Sequence, residues 1–480
     1  MQTELRGLLM AFSPRHYQER VLEGLANSKT PYTGLVGAGL GVGKTAISVW
    51  NTLNAFGSTI GDQIILVVAP VRTESGWRNH WKTLAGIDMR TLSGKKTKAA
   101  LAVWNDLKNR TPGVYFITWE LMRSRNKEKR WDGRAKKYAF KSMSKPFYGV
   151  EFGMVIADEW HRACNHASLN FDVARHIKAQ YRLALSATPA GNKPCNIWAA
   201  LKFLWPNHYG GYWDFCDKFF KVELNPWSAY GKDFSGEKYP GMVRRGAPSY
   251  HEVSQAEANP ELPGVIVHRV EVELTRQQRK LYNELEQKAL TFLGDYPLAL
   301  SIPMELDTRL RQMTLGVPSF NEDMTVDYRE DCKSSKLDAM MDIIADLPEN
   351  EPVVVWVHSQ KFIKAVLYRL KKAGIKALEV SGKSRGDFQD MINGDMRVIV
   401  AQHEAMSEGV DGLQRVCHTE IWLSQSNSLV INEQATGRLN RQGQTTAVNR
   451  FLIQATNTVD DRVLGRLQER FDKLKASGLI

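Results

Sequence analysis

Paired cysteines and long apolar runs are both missing from this sequence. The five cysteines are scattered, and no two stand at the C-x-x-C spacing. A zinc site and a disulfide framework are therefore not indicated, and a reducing compartment suits the chain. No run of 18 apolar residues occurs, and the first residues, MQTELRGLLMAF, lack the apolar core of a signal peptide. We expect a soluble intracellular protein without a membrane segment.

The charge balance is basic, with 64 Lys and Arg against 52 Asp and Glu and a net charge of +12. Such a surplus favours a polyanionic partner such as nucleic acid, although basicity alone is weak evidence. At 480 residues the chain is too long for one compact core. By the usual domain size it should hold two or three domains.

A glycine-rich stretch, AGLGVGKT at 38–45, stands between an apolar run and a helical pattern. Its glycines, which let backbone N–H groups approach phosphates closely, are Gly39, Gly41 and Gly43. Lys44 would reach the β and γ phosphates of ATP, and Thr45 would offer a hydroxyl to Mg²⁺. A flexible turn would explain the glycines but not a Lys-Thr pair that opens an amphipathic helix. We therefore predict a nucleotide-binding loop.

Apolar runs of strand length alternate with helical patterns along the whole chain. In the first part they lie at 63–69, 114–118, 153–157 and 181–189, and in the second part at 353–359, 377–382, 396–402, 419–425 and 449–455. This alternation predicts an α/β fold with two doubly wound parallel sheets. We expect an N-terminal domain at 1–205, a mainly helical and irregular connector at 206–333, and a C-terminal domain with a closing helix at 334–480.

An acidic pair, Asp158 and Glu159 in the sequence DEWH, directly follows the run at 153–157. Ligands of such sheets gather at the carboxyl ends of the strands, so the pair can face the phosphate loop. Asp158 would then hold Mg²⁺ through water, and Glu159 would polarise the attacking water. Acidic pairs at strand ends also occur as helix caps, and only the shared context with Lys44 favours catalysis.

A basic segment at about 122–148 interrupts the first domain, with Trp131 and Tyr138 among its cations. Its composition suits a loop that contacts a phosphate backbone, with Lys136 and Lys137 among the contacts. A solvated surface excursion explains the same composition equally well.

Four further segments complete an ordered set of motifs. They are SATPAGN (186–192), VELTRQQRKLYNEL (272–285), SSKLDAM (334–340) and QATGRLNRQGQ (434–444). With them, the chain resembles the superfamily 2 nucleic-acid motors, and most closely their Swi/Snf branch of double-stranded DNA translocases, from about Pro14 to about Leu467. The resemblance implies two RecA-like domains. It departs from the branch at Ala38-Gly39, where an acidic pair is usual, and at EGVDGLQ (408–414), which is closer to general helicases.

The resemblance also implies roles for residues beyond the phosphate loop. Arg438 and Arg441 would reach the γ-phosphate, because planar guanidinium donors spread over its oxygens as charge develops. Gln434 and Asp411 would lie near the nucleotide. Gln18, on a helix upstream of the loop, would read the adenine edge, although a helix glutamine is more often a solvated surface residue.

Three hydroxyl residues match family boxes at strand ends and are the expected DNA contacts: Thr118, Ser359 and Ser407. Each of them could equally be a capping hydroxyl. Phosphate contacts of this kind would let the protein move independently of sequence.

The resemblance therefore implies an ATPase that uses ATP and Mg²⁺ and moves on duplex or branched DNA, to remodel DNA or displace bound protein. We expect a minimal motor in the cytoplasm of a bacterium or of a virus-infected cell. One alternative is a strand-separating helicase, which needs a rigid pin that the sequence does not reveal. Another is an ATP-gated DNA-binding subunit of a larger complex, such as a nuclease.

Overall fold

The chain divides into two compact units in the computed structural model, which describes residues 13–39, 41–125, 127–132, 137–142, 147, 149–225, 231–295, 302–320, 326–382, 389–406 and 412–479. Met1–Pro260 and Asp472–Ile480 form the first unit, and Glu261–Phe471 form the second. The region expected to be a connector, 206–333, is thus shared between the two units.

The first unit is built on parallel strands and surrounding helices. Its strands are β1 (Gly34–Ala38), β2 (Ile64–Ala69), β3 (Arg90–Thr91), β4 (Gly113–Thr118), β5 (Lys127–Asp132), β6 (Lys137–Ser142), β7 (Glu151–Ala157), β8 (Lys178–Ser186), β9 (Phe220–Leu224), β10 (Lys232–Glu237) and β11 (Tyr250–Val253). Seven of them form one sheet in the order β11-β1-β8-β7-β2-β4-β3, and every pairing in it is parallel.

The described helices of the first unit are α1 (His16–Ala26), α2 (Lys44–Phe56), α3 (Glu74–Ala85), α4 (Lys98–Lys108), α5 (Trp119–Arg125), α6 (Leu169–Ala174), α7 (Ile197–Leu204), α8 (Tyr212–Phe219), α9 (Met242–Gly246) and α10 (Gln255–Ala258). Strands β1 and β2 are buried along their whole length. Helices cover both faces of such a parallel sheet, so neither face contacts water. The strands therefore have continuous apolar sequences.

The second unit repeats this plan. Its strands are β12 (Val265–Val272), β13 (Pro318–Phe320), β14 (Val326–Tyr328), β15 (Val353–Val357), β16 (Ala377–Val380), β17 (Val398–Gln402), β18 (Thr419–Trp422) and β19 (Val448–Ala455). Six form a sheet in the order β12-β19-β18-β15-β17-β16, again with parallel pairings only. The predicted fold, two α/β units each built on a parallel sheet, is confirmed.

Helices of the second unit are α11 (Arg276–Asp295), α12 (Ile302–Leu315), α13 (Ser335–Asp346), α14 (Ile363–Lys372), α15 (Gln389–Ile392), α16 (His403–Met406), α17 (Leu429–Thr436) and α18 (Val459–Ala476), the last of which ends among residues of the first unit. Across the described residues, no helix is both long enough and apolar enough to cross a membrane.

Two local expectations were wrong. Where it is described, the basic segment at 122–148 is not a loop: β5 and β6 pair antiparallel in an unbroken register from Lys127↔Ser142 to Asp132↔Lys137. The connector expected at 206–333 to be mainly helical and irregular contains three strands in its first part, β9, β10 and β11, and β11 joins the first sheet beside β1. These strands have four to six residues, which is too short for a periodicity to stand out.

Candidate functional site

The glycine-rich loop connects β1 to α2, as its sequence predicts. Gly41 and Gly43 have φ angles of 75° and 78°, in the left-handed region that favours glycine. At Gly43 space is restricted as well, because a Cβ atom there would lie 2.5 Å from Nε2 of Gln18. Both backbone conformation and close packing therefore require glycine at this position.

Lys44 is the first residue of α2, and its side chain turns back over the loop. Its Nζ donates hydrogen bonds to the carbonyl oxygens of Ala38 and Gly39, each at 3.0 Å. The ammonium group thus lies at the concave side of the loop, where the helix N-terminus adds its own positive potential. Thr45 follows at the second helical position and is half-buried.

Gln18 is packed against the same loop from α1 and is only 5% exposed. Its Oε1 accepts from the backbone N–H of Arg15 (2.9 Å), and its Nε2 donates to the carbonyl oxygen of Val42 (3.4 Å). Tyr17 donates to the same carbonyl oxygen at 3.1 Å. Gln18 is therefore not a solvated surface residue, and its contact with adenine stays a prediction.

Asp158 follows β7, and its carboxylate is buried. Its Oδ2 accepts from Nε1 of Trp77 (3.0 Å), and its Oδ1 accepts from the backbone N–H of Glu159 (2.9 Å). Burial, and next the neighbouring Glu159 carboxylate, raise the pKa of Asp158 to about 6, against an opposing effect of the Lys44 ammonium. Lys44, on the loop after β1, and Asp158, directly after β7, lie at the same carboxyl edge of the parallel sheet.

Glu159 has a φ of 49°, a left-handed conformation that is unusual for a residue with a Cβ. Such strain costs on the order of 1–3 kcal/mol and concentrates at functional sites. Its Oε2 lies 3.2 Å from Nδ1 of His161. The strained backbone turns the chain immediately after β7, at the carboxyl edge of the sheet.

The segment after β8 reaches the same edge, because β8 lies between β1 and β7. Ser186 Oγ accepts from the backbone N–H of Thr188 at 3.1 Å. The hydroxyl of Thr188 is buried and has no hydrogen-bond partner within the described part of the chain. A buried hydroxyl without a partner is unfavourable unless another group approaches it.

The two arginines expected to contact phosphate lie in the second unit, after α17. Arg438 is 8% exposed and Arg441 is half-buried. Their segment is held by side-chain amides: Gln444 Nε2 donates to the carbonyl oxygen of Cys417 (3.0 Å), and Gln414 Nε2 donates to that of Gln442 (3.2 Å). Gln434 lies buried on α17.

The expected DNA contacts are described only in part. Thr118 accepts through Oγ1 from the backbone N–H of Leu121 (3.1 Å), as a cap of α5 does, so its DNA contact stays a prediction. Ser359 lines a cavity of about 290 Å³ in the second unit. Lys137 belongs to β6, whereas Lys136, Ser407 and Asp411 lie outside the described residues.

The residues of the first unit fit a nucleoside triphosphate with Mg²⁺. Gly43 has the left-handed backbone of a tight loop, Lys44 supplies a cation, and Asp158 and Thr45 offer the oxygen ligands that Mg²⁺ prefers. Sequence reasoning assigned no role to three residues here: Trp77, which donates to Asp158, Thr188, and Gln255, whose amide lies beside Gly39.

Comparisons with known proteins show which family the chain resembles. The SNF2-related domain family matches residues 17–315. A protein named as an ATP-dependent helicase of Mycoplasma genitalium is 25% identical over 461 residues, covering 94% of this chain and 40% of that protein. One with the same description in Bacillus subtilis is 23% identical over 343 residues, covering 67% and 59%.

Among solved structures, the helicase domain of Pyrococcus furiosus Hef has the same fold, with a TM-score of 0.52 at 15% identity over 96% of this chain and 99% of that one. The chain spans about two fifths of the length of the Mycoplasma relatives that it matches.

Proposed function

The chain belongs to the SNF2-related family, and we propose that it is a DNA-stimulated ATPase that translocates on duplex or branched DNA, where it remodels DNA or displaces bound protein. The observation that carries the proposal is the arrangement of Lys44 and Asp158 at one edge of the first sheet, with the ammonium on the loop carbonyls and the carboxylate oriented by Trp77. We place the activity in the cytoplasm of a bacterium or of a virus-infected cell, since the relatives described above are bacterial.

In this proposal each residue of the first unit has one task. Lys44 binds the β and γ phosphates, Thr45 and Asp158 hold Mg²⁺, and Glu159 accepts a hydrogen bond from the attacking water and polarises it. Mg²⁺ would neutralise charge on the phosphate oxygens. The buried hydroxyl of Thr188, which has no partner among the described residues, would contact the Glu159 carboxylate or a phosphate oxygen.

Arg438 and Arg441 of the second unit would stabilise the charge that develops on the transferred phosphoryl group. An arginine in this role raises the rate by roughly 10³ to 10⁵, which corresponds to about 4 to 7 kcal/mol of barrier. Gln434 would stand near the nucleotide, and Gln18 would contact the adenine. Hydrolysis would then require residues of both units.

DNA is the proposed partner because the chain carries a net charge of +12, and phosphate contacts supply most sequence-independent affinity. Thr118, Ser359 and Lys137 are the proposed contacts among the described residues.

A second function, strand separation, is favoured by one observation: the hairpin of β5 and β6 is a paired element that could act as the pin that a helicase needs.

The site assignment is tested with Lys44→Ala and Arg441→Ala. Each should lower DNA-stimulated ATP turnover by roughly 10³-fold or more, while DNA binding in low salt persists, because neither residue is proposed to contact DNA. Lys178→Ala and Arg329→Ala are matched controls, since both side chains are exposed. Unchanged turnover in either site variant would remove that residue from the site.

A further inference from the structure

Gln255 is brought to the phosphate loop by a strand that sequence patterns do not reveal. It begins α10, immediately after β11, and β11 pairs in parallel with β1. The pairing extends into the loop, where the backbone N–H of Gly39 donates to the carbonyl oxygen of Val253 at 3.2 Å. Residues 253–255 therefore run beside the first residues of the loop.

The side chain of Gln255 lies beside Gly39. A Cβ atom built on Gly39 would lie 3.0 Å from Oε1 of Gln255 and 3.6 Å from its backbone nitrogen. The φ angle of Gly39 is not in the left-handed region, so its backbone conformation does not explain the glycine. A larger residue at this position would require the Gln255 amide to shift.

That amide is buried, yet Nε2 and Oε1 both lack a hydrogen-bond partner among the residues that the structure describes. Gln18, which packs on the same loop, uses both ends of its amide. Burying a primary amide without partners is unfavourable, and native proteins retain such groups mainly where a function uses them.

The hydrogen bonds of Lys44 indicate a role for the Gln255 amide. Its Nζ donates to the carbonyl oxygens of Ala38 and Gly39, and a contact with phosphate would draw the ammonium away from these acceptors. Buried carbonyl oxygens that lose their donor destabilise the loop. The Gln255 amide lies beside Gly39 and has two N–H donors that no described group accepts.

We propose that Gln255 is a positioning residue of the phosphate loop: its Nε2 donates to the carbonyl oxygen of Gly39 when Lys44 contacts phosphate. The amide thereby holds the loop in its nucleotide-bound conformation. This inference rests on the proposed function, because it assumes that the loop binds ATP.

The test compares Gln255→Leu and Gln255→Glu with wild type, and Gln180→Leu serves as the control because Gln180 is an exposed glutamine at the start of β8. Thermal unfolding is measured with and without a non-hydrolysable ATP analogue and Mg²⁺, together with KM and kcat for ATP. Leucine removes the unpaired amide at similar volume, so the melting temperature without nucleotide should equal or exceed that of wild type.

With nucleotide, the stabilisation of both variants should shrink, and KM for ATP should rise roughly tenfold while kcat changes by less than about threefold. Glutamate keeps the size and the acceptor but lacks the donor, so it should not restore the wild-type KM. An unchanged KM and an unchanged nucleotide-induced shift would overturn the inference.

Equal loss of stability with and without nucleotide would also overturn it, because a packing role alone predicts that result. If wild type itself gains no stability from the analogue and does not hydrolyse ATP, the proposed function fails and the inference fails with it.

Discussion

At the residue scale, the feature that organises the site is the buried carboxylate of Asp158. Burial, and next the neighbouring Glu159 carboxylate, raise its pKa to about 6 against the opposing interactions that favour the ionised form. Two donors favour this form, the indole N–H of Trp77 and the backbone N–H of Glu159. Hydrogen bonds to a charged acceptor contribute about 1.5–3 kcal/mol each.

Trp77→Phe should therefore lower ATPase kcat by roughly tenfold or more, equivalent to about 1.4 kcal/mol of barrier, because the carboxylate loses a donor and its fixed orientation. Trp81→Phe is the matched control. Trp81 is equally buried on the same helix, but its Nε1 has no hydrogen-bond partner among the described residues. Equal losses in the two variants would reduce Trp77 to a packing residue.

Sequence reasoning predicted those site residues that belong to local motifs, and their roles stay predictions. Lys44 and Asp158 lie in short patterns at strand ends, and the structure places both at the carboxyl edge of one sheet. Trp77 and Gln255 could not be found in that way, because a tryptophan on an amphipathic helix predicts core packing. Only the tertiary fold brings its indole to Asp158, and only the pairing of β11 with β1 brings Gln255 to Gly39.

At the scale of elements, the buried central strands were predictable, because short runs of β-branched and apolar residues are typical of buried parallel strands. Strand β12 was not predicted. It lies at the edge of the second sheet, and Ile266 and Val267 are each about half exposed, so neither an alternating nor a continuous apolar pattern marks it. Its position follows from its pairing with β19 along its whole length.

Two helices of the second unit, α13 and α18, are joined by an ion pair at 2.6 Å between the buried Lys336 and the half-buried Asp460. Lys336 also donates to the carbonyl oxygen of Leu423, and Asp460 accepts from the hydroxyl of Thr314 (3.1 Å) and the backbone N–H of Ala455 (3.1 Å). A buried pair is stable only when such additional hydrogen bonds satisfy it. The first turn of the closing helix α18 is thus fixed to the first turn of α13.

One prediction at this scale concerns the hairpin formed by β5 and β6. The double change Lys136→Glu, Lys137→Glu should weaken DNA binding and reduce the slope of log K against log salt by about 0.9 for each duplex phosphate that the hairpin no longer neutralises. Lys108→Glu, on the exposed side of α4, is the control with the same kind of charge change. An unaltered salt slope would assign the hairpin to the solvated surface.

At the scale of the whole molecule, the proposed catalytic residues are divided between two units of the same architecture. Lys44, Asp158 and Glu159 belong to the first unit, and Arg438 and Arg441 to the second. In the proposed function, hydrolysis would therefore depend on residues of both units.

The fold class was predictable from alternation because a parallel sheet needs its crossover helices. The boundary between the units could not be predicted in this way. The chain contributes β11 to the first sheet and, after the short stretch 254–264, begins β12 of the second sheet. No change of composition marks that point.

ATP turnover by wild type and Glu159→Gln, each with no nucleic acid, duplex DNA, branched DNA, single-stranded DNA or RNA, tests the central claim most directly. The account predicts that duplex or branched DNA stimulates wild type most strongly, and that Glu159→Gln stays near its unstimulated rate with every nucleic acid. Stimulation by single strands or RNA alone would contradict duplex translocation, and wild-type turnover that no nucleic acid raises would contradict the motor itself.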